Sequence, residues 1–159
     1  MGMGAALDLI DQLASRGVFR VKDLNPCRLS HNWLPLAHFL GHATPHGRGV
    51  WSHPKYQPSR YELLQIRFPK AVFWGPSALW LLGELFFEPA QPWLAIGNNA
   101  RIPRTIERDS VVILRTRRLE LDVVTVLPEG RALMLRVHNA ERARADIIAR
   151  MRPPRIGAR

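Results

Sequence analysis

At 159 residues and 18.1 kDa, the chain is long enough for one compact domain or two small ones. Apolar residues make up 47%, five Trp and six Phe among them, which excludes global disorder, and the single cysteine, Cys27, excludes an intrachain disulfide. A formal charge of +10 points to a polyanionic partner, because phosphates neutralised by Lys and Arg release condensed counterions. The plainer reading of the charge is an Arg-rich surface set by coding bias.

Ala5–Arg16 carries Leu7, Ile10, Leu13 and Ala14 at helical spacing, and Gly17 is placed to stop the helix. Val18–Val21 reads as a short strand. A second helix starts at Lys22-Asp23-Leu24 and is kept short by Pro26. Ser30 or Asn32 caps a third helix with Trp33, Leu36, Ala37 and Leu40 turned inward; Pro35 favours Asn32, which puts it in the first turn. Then come a polar loop, the tip Gly47-Arg48-Gly49 and the alternating run Val50-Trp51-Ser52-His53. Helix, short strand, short helix, helix and two-stranded wing is the order of a winged helix-turn-helix.

Lys55–Arg60 has the composition of a linker, and Tyr61–Phe68 forms a short helix or an extended arm before Pro69. Val72–Leu85 reads as a core helix beginning near Gly75-Pro76-Ser77. Strands are expected at Trp93–Ile96, Val111–Arg115, Leu119–Val126 and Leu133–Val137. Asn139 caps a last helix from Ala140 to about Met151, which Pro153-Pro154 ends, leaving a disordered tail at Arg155–Arg159. The fold class is α+β: a winged helix-turn-helix over 1–58, a small mixed α/β domain over 59–152 and a basic tail over 153–159. Ala71–Phe87 is too interrupted by Gly75, Pro76, Gly83 and Glu84 to span a bilayer. No secretory leader is evident, so the expected location is cytoplasmic.

A recognition helix presents its N-terminal half to base edges, which assigns Ser30, His31, Asn32 and His38 to base readout. Asn can pair bidentately with adenine in the major groove. Arg48, between two glycines, suits a narrow minor groove, while Lys22, Arg28 and Lys55 meet phosphates. Cys27 with His31, and His38 with His42, have helical spacing, but no paired ligand motif accompanies them. No metal and no cofactor is therefore expected. Glu120 and Asp122 would alternate on one strand face, as a metal-dependent nuclease requires, but no lysine follows and no phosphate loop is present. The chain reads as non-catalytic.

Arg67-Phe68-Pro69-Lys70-Ala71-Val72, Ser77-Ala78-Leu79-Trp80-Leu81-Leu82-Gly83 and Pro92-Trp93-Leu94-Ala95-Ile96 resemble the core of AbiEi-type antitoxins. Val137-His138-Asn139-Ala140-Glu141-Arg142, with Asp146, resembles their late strand-to-helix motif, and Gly17-Val18-Phe19 and Gly47-Arg48-Gly49-Val50-Trp51 resemble their head. The resemblance covers nearly all of residues 5–150, and it rests on the order of the motifs. It implies a DNA-binding repressor of its own operon and the antitoxin of a type IV toxin–antitoxin pair in abortive infection and phage defence. The implied partners are operator DNA and a nucleotidyltransferase-like toxin, countered without a stable complex. Family members continue for several helices after the one carrying Asp146, whereas this chain ends at Arg159. The alternative is a solitary protein- or RNA-binding accessory module, and after it a nuclease. No dimerisation heptad is present, so a monomer is compatible.

Residues 67–159 hold sixteen Lys and Arg against nine Asp and Glu, while residues 1–66 hold seven against four. Arg101, Arg104 and Arg108 lie in one expected loop, and Arg115, Arg117 and Arg118 in another. These loops are expected to extend the phosphate footprint into the second domain. A solvated surface paired with Glu107, Asp109 and Glu120 is the competing expectation.

Overall fold

In the computed structural model, which describes residues 1–102 and 110–151, the chain is mixed α+β, with six helices and two sheets among the described residues. It divides into two units. The first holds Met1–Arg67 together with Glu129–Leu133; the second holds the described residues of Phe68–Pro128 and Met134–Arg159. No helix among the described residues is long and apolar enough to cross a membrane.

In the first unit, helix α1 (Met3–Ala14) buries Ala6, Ile10, Leu13 and Ala14. The spacing i, i+4, i+7, i+8 is that of one helical face. Gly17 then turns the chain at φ 93°, a left-handed conformation that suits glycine, and leads into strand β1 (Val18–Arg20). Val21–Cys27 is a 3-10 helix, tied at its start by the Arg20 N–H donating to Asp23 at 2.7 Å. It contains Pro26 and ends at Arg28, φ 54°.

Helix α2 (Trp33–Phe39) begins after Asn32, whose side chain makes no capping bond, and Pro35 sits in the first turn, where its missing N–H breaks no helical bond. Ser30 lies outside the helix; its Oγ accepts the Asn32 N–H at 3.3 Å. Leu34 and Ala37 are the buried residues of α2, and Trp33 and Leu36 are half-buried. Leu40, expected to face inward, is 44% exposed, because the helix ends at Phe39 and the chain turns away at Gly41, φ 81°.

Strands β2 (Thr44–Pro45) and β3 (Val50–Ser52) complete an antiparallel sheet of order β1-β3-β2, with Trp51 opposite both Phe19 and Pro45. Its core joins Ile10, Leu13, Phe19, Leu24, Leu34 and Ala37. Helix α3 (Arg60–Arg67) follows, with Tyr61, Leu64 and Ile66 buried. Lys55–Arg60, with a linker's composition, belongs to this unit: Pro58 is buried and the Tyr56 hydroxyl donates to Glu62.

The second unit is built on a five-stranded sheet of order β6-β5-β4-β8-β7. Its strands are β4 (Val72–Phe73), β5 (Trp93–Gly97), β6 (Val112–Thr116), β7 (Val123–Val126) and β8 (Leu135–His138). β4 pairs parallel with β8 and β5 with β6; the other two pairings are antiparallel. Val72, Phe73, Leu94, Ala95, Leu135 and Val137 are buried in this sheet.

Helices α4 (Gly75–Leu81) and α5 (Ala140–Met151) pack against each other. Asn139 caps α5 as its position suggests, its Oδ1 accepting the Arg142 N–H at 2.9 Å. Trp74 meets Trp93 edge-on at 4.9 Å, and the Arg150 guanidinium lies 4.7 Å from the Trp74 ring.

Two expected elements are shorter than their apolar runs. Within Val72–Leu85 the helix begins at Gly75, where the sequence places its start, but Val72–Phe73 ahead of it is strand β4 and α4 ends at Leu81, just before the left-handed Gly83 (φ 78°). Leu119–Asp122 is a turn, with Asp122 at φ 58°, and only Val123–Val126 is strand. Glu120 and Asp122 therefore do not alternate on a strand face.

Candidate nucleic-acid interface

The residues assigned to base readout lie at the start and along the outer side of α2. Ser30, His31, Asn32 and His38 are all exposed. His38 is held in place: its Nδ1–H donates to the Ala43 carbonyl at 3.0 Å, and its ring stands edge-on to Trp51 at 6.4 Å. That bond fixes the neutral tautomer and leaves Nε2 as the polar atom able to meet a ligand.

Arg48 occupies the tip between β2 and β3. Gly47, Arg48 and Gly49 all have positive φ, at 81°, 52° and 73°. Two closing bonds, His46 N–H to the Val50 carbonyl at 2.9 Å and Val50 N–H to Gly47 at 3.0 Å, make the turn tight, so the Arg48 side chain stands exposed. A residue with a Cβ is strained here, and glycine on either side lowers that strain locally. Lys22, Arg28 and Lys55 are exposed in the same unit.

Arg67, unassigned by the sequence, belongs with this group. Burial and the neighbouring Arg48 charge lower its guanidinium from its ordinary value, and its buried Nε has no hydrogen-bond partner. No sequence signal marks Arg67, which is nineteen positions from Arg48 and closes an amphipathic helix.

The remaining head histidines have local partners. His42 Nδ1 meets Asp11 at 2.8 Å, and the His46 Nε2–H donates to the buried Ser52 hydroxyl at 2.7 Å. Burial lowers the His46 pKa below 6.5. The Ser52 hydroxyl lies near the carbonyls of His53 (3.0 Å) and Tyr56 (3.1 Å).

In the second unit, Arg101, Arg117 and Arg118 are exposed, and Arg104 lies outside the described residues, as do Glu107, Arg108, Asp109 and the tail over 153–159. Arg115 is also exposed, but its Nη1 donates to the carbonyls of Asn98 (3.1 Å) and Ala100 (2.6 Å). It therefore acts as a tether for the loop after β5. Glu120 pairs with Arg136.

Arg118 also lines a cavity of about 540 Å³ with Thr116, Asp122, Asn139, Arg142 and Asp146. In the same unit His138 is fully buried; its Nε2 lies 3.1 Å from the Leu119 carbonyl, which can only accept. The neutral ring is thus protonated at Nε2, and its Nδ1 lone pair faces the Asp146 carboxylate at 3.9 Å. Neither of these two buried atoms has a hydrogen-bond partner.

Burial is the main cause holding the His138 pKa below 6.5; Arg142 lowers it further, while the Leu119 bond, Asp146 and Asp122 oppose. A folded-state value below the unfolded one means that the unfolded chain binds this proton more readily. Stability from His138 is therefore complete above about pH 6.5 and is lost as pH falls below it. Thermal unfolding should show a lower Tm at about pH 5.5 than at about pH 7.5, and a smaller difference in His138→Gln. Asp146→Asn removes a carboxylate that raises the His138 pKa, together with its pairing to the Arg142 Nε at 3.8 Å, and should widen the Tm difference between the two pH values. An unchanged difference in that variant would contradict the coupling of Asp146 to His138.

No protein-family model matches this sequence, and comparison with curated proteins finds no match.

Proposed function

We propose that the chain is a sequence-specific DNA-binding transcriptional regulator whose first unit is a winged helix-turn-helix. The observation carrying this reading is the order α1, β1, 3-10 helix, α2, β2, β3 on a β1-β3-β2 sheet, with exposed Arg48 at the hairpin tip. In this reading α2 enters the major groove, where Asn32 pairs with adenine and Ser30, His31 and His38 meet neighbouring base edges or phosphates. Arg48 reaches the adjacent minor groove. Lys22, Arg28 and Lys55 take phosphates, and Arg101, Arg117 and Arg118 add contacts from the second unit.

The antitoxin role is the further part of the proposal. It is supported by the order of the resembling motifs, which fall on β4, α4, β5 and the β8–α5 junction. A nucleotidyltransferase reading frame beside this one, toxic alone and harmless when this chain is co-expressed, is the expected finding. A toxin left uncountered by the chain rejects this role and leaves the DNA reading standing.

The DNA reading is tested by selection from a random duplex library with the full chain. A defined motif should be enriched. Asn32→Ala should relax preference at one base pair by about 1–3 kcal/mol, and Arg48→Ala should weaken binding to all sequences alike. A library that yields no motif rejects the reading.

A further inference from the structure

Phe39, the last residue of α2, is 84% exposed. At about 100° per residue, Asn32, Pro35, His38 and Phe39 share one outward arc of the helix, opposite buried Leu34 and Ala37. The helix contains no Lys or Arg, so this arc does not grip phosphate by ion pairing. A large aromatic ring is nevertheless presented on it, beside groups able to hydrogen-bond bases.

Charge selects the occupant of this arc. Exposed Lys22, Arg28 and Arg48 lie in the same unit, and a second copy of the chain would set +10 against +10. Duplex DNA complements that charge, and its major groove carries one apolar group on a base edge, the thymine C5-methyl. We infer that Phe39 is a specificity-determining residue that contacts a thymine methyl in the groove that α2 enters. This rests on the DNA-binding reading above. At 1.5 Å per residue, Asn32 and Phe39 are separated by roughly 10 Å along the helix, about three base-pair steps. The contacted thymine therefore lies no more than about three base pairs from the adenine paired with Asn32.

The test takes the full chain and the duplex it selects from a random library, and replaces each thymine in turn by deoxyuridine, which removes only the methyl. One position, or two adjacent ones, should lose about fourfold in affinity, the scale of one buried methylene-sized group. In Phe39→Ala, an exposed substitution that leaves the core intact, those same replacements should have no effect. A selected duplex indifferent to every replacement overturns this inference and leaves the DNA reading intact. Failure to select any duplex overturns both. Dissociation of an oligomer of the free chain by Phe39→Ala would place the ring between protein copies and also overturn the inference.

Discussion

Glu62→Ala should destabilise the first unit by about 3 kcal/mol or more, seen as a lower denaturation midpoint. Glu62 is a carboxylate with 0% exposure. It accepts from the Tyr56 hydroxyl and from the Ser59 N–H at 3.0 Å, and Arg131 approaches at 3.5 Å. The same segment is held twice more, by Ala132 N–H on the Tyr56 oxygen at 3.0 Å and by Arg131 on the Gln57 carbonyl at 2.8 Å. Burial and the bond to Glu62 raise the Tyr56 phenol from its ordinary value. Alanine leaves these donors facing an empty site, whereas Glu62→Gln keeps the shape and part of the bonding and should lose less. A loss within about 0.5 kcal/mol, ordinary for a surface substitution, would contradict the buried-clasp account.

One consequence is that a fragment ending at residue 67 lacks part of its own unit. Residues 129–133 complete it, and a Cβ placed on Gly17 would stand 2.6 Å from the Ala132 Cβ. Binding experiments on the head are therefore best made with the full chain.

The second large effect concerns the second unit's share in binding. Arg117→Glu combined with Arg118→Glu should weaken operator binding at least about tenfold at low salt. It should also flatten the plot of log affinity against log salt by roughly 1.8, about 0.9 for each phosphate no longer neutralised. Arg115→Ala is the informative contrast, since its guanidinium holds the Asn98 and Ala100 carbonyls. That change should lower Tm and leave the salt slope nearly unaltered. An unchanged slope in the double reversal would remove these two arginines from the footprint.

How much of the molecule is legible in the sequence depends on whether the determinant is local. The α1 face, the β1 strand, the Asn32 start of α2, the glycine tip at Arg48 and the Asn139 cap follow from spacing and turn chemistry over a few residues. The end of the Val72–Leu85 run and the segment Leu119–Asp122 depart from expectation because apolar content does not reveal where a left-handed residue stops an element. Here Gly83 and Asp122 do so. The exposure of Asn32 and His38 follows from helical periodicity, but that of Phe39 does not, because an aromatic residue in a short apolar helix is ordinarily core. The Glu62–Arg131 clasp joins residues 69 positions apart, and the proximity of Arg67 to Arg48 is equally non-local. Neither leaves a trace in spacing.

Sequence-specific recognition of duplex DNA is open to competition binding. A labelled duplex containing the chain's own upstream region is bound by the full chain and challenged with unlabelled copies of itself, random duplex and RNA. The upstream duplex should compete at least about a thousandfold better than the other two at physiological salt. Equal competition by all three would contradict the account.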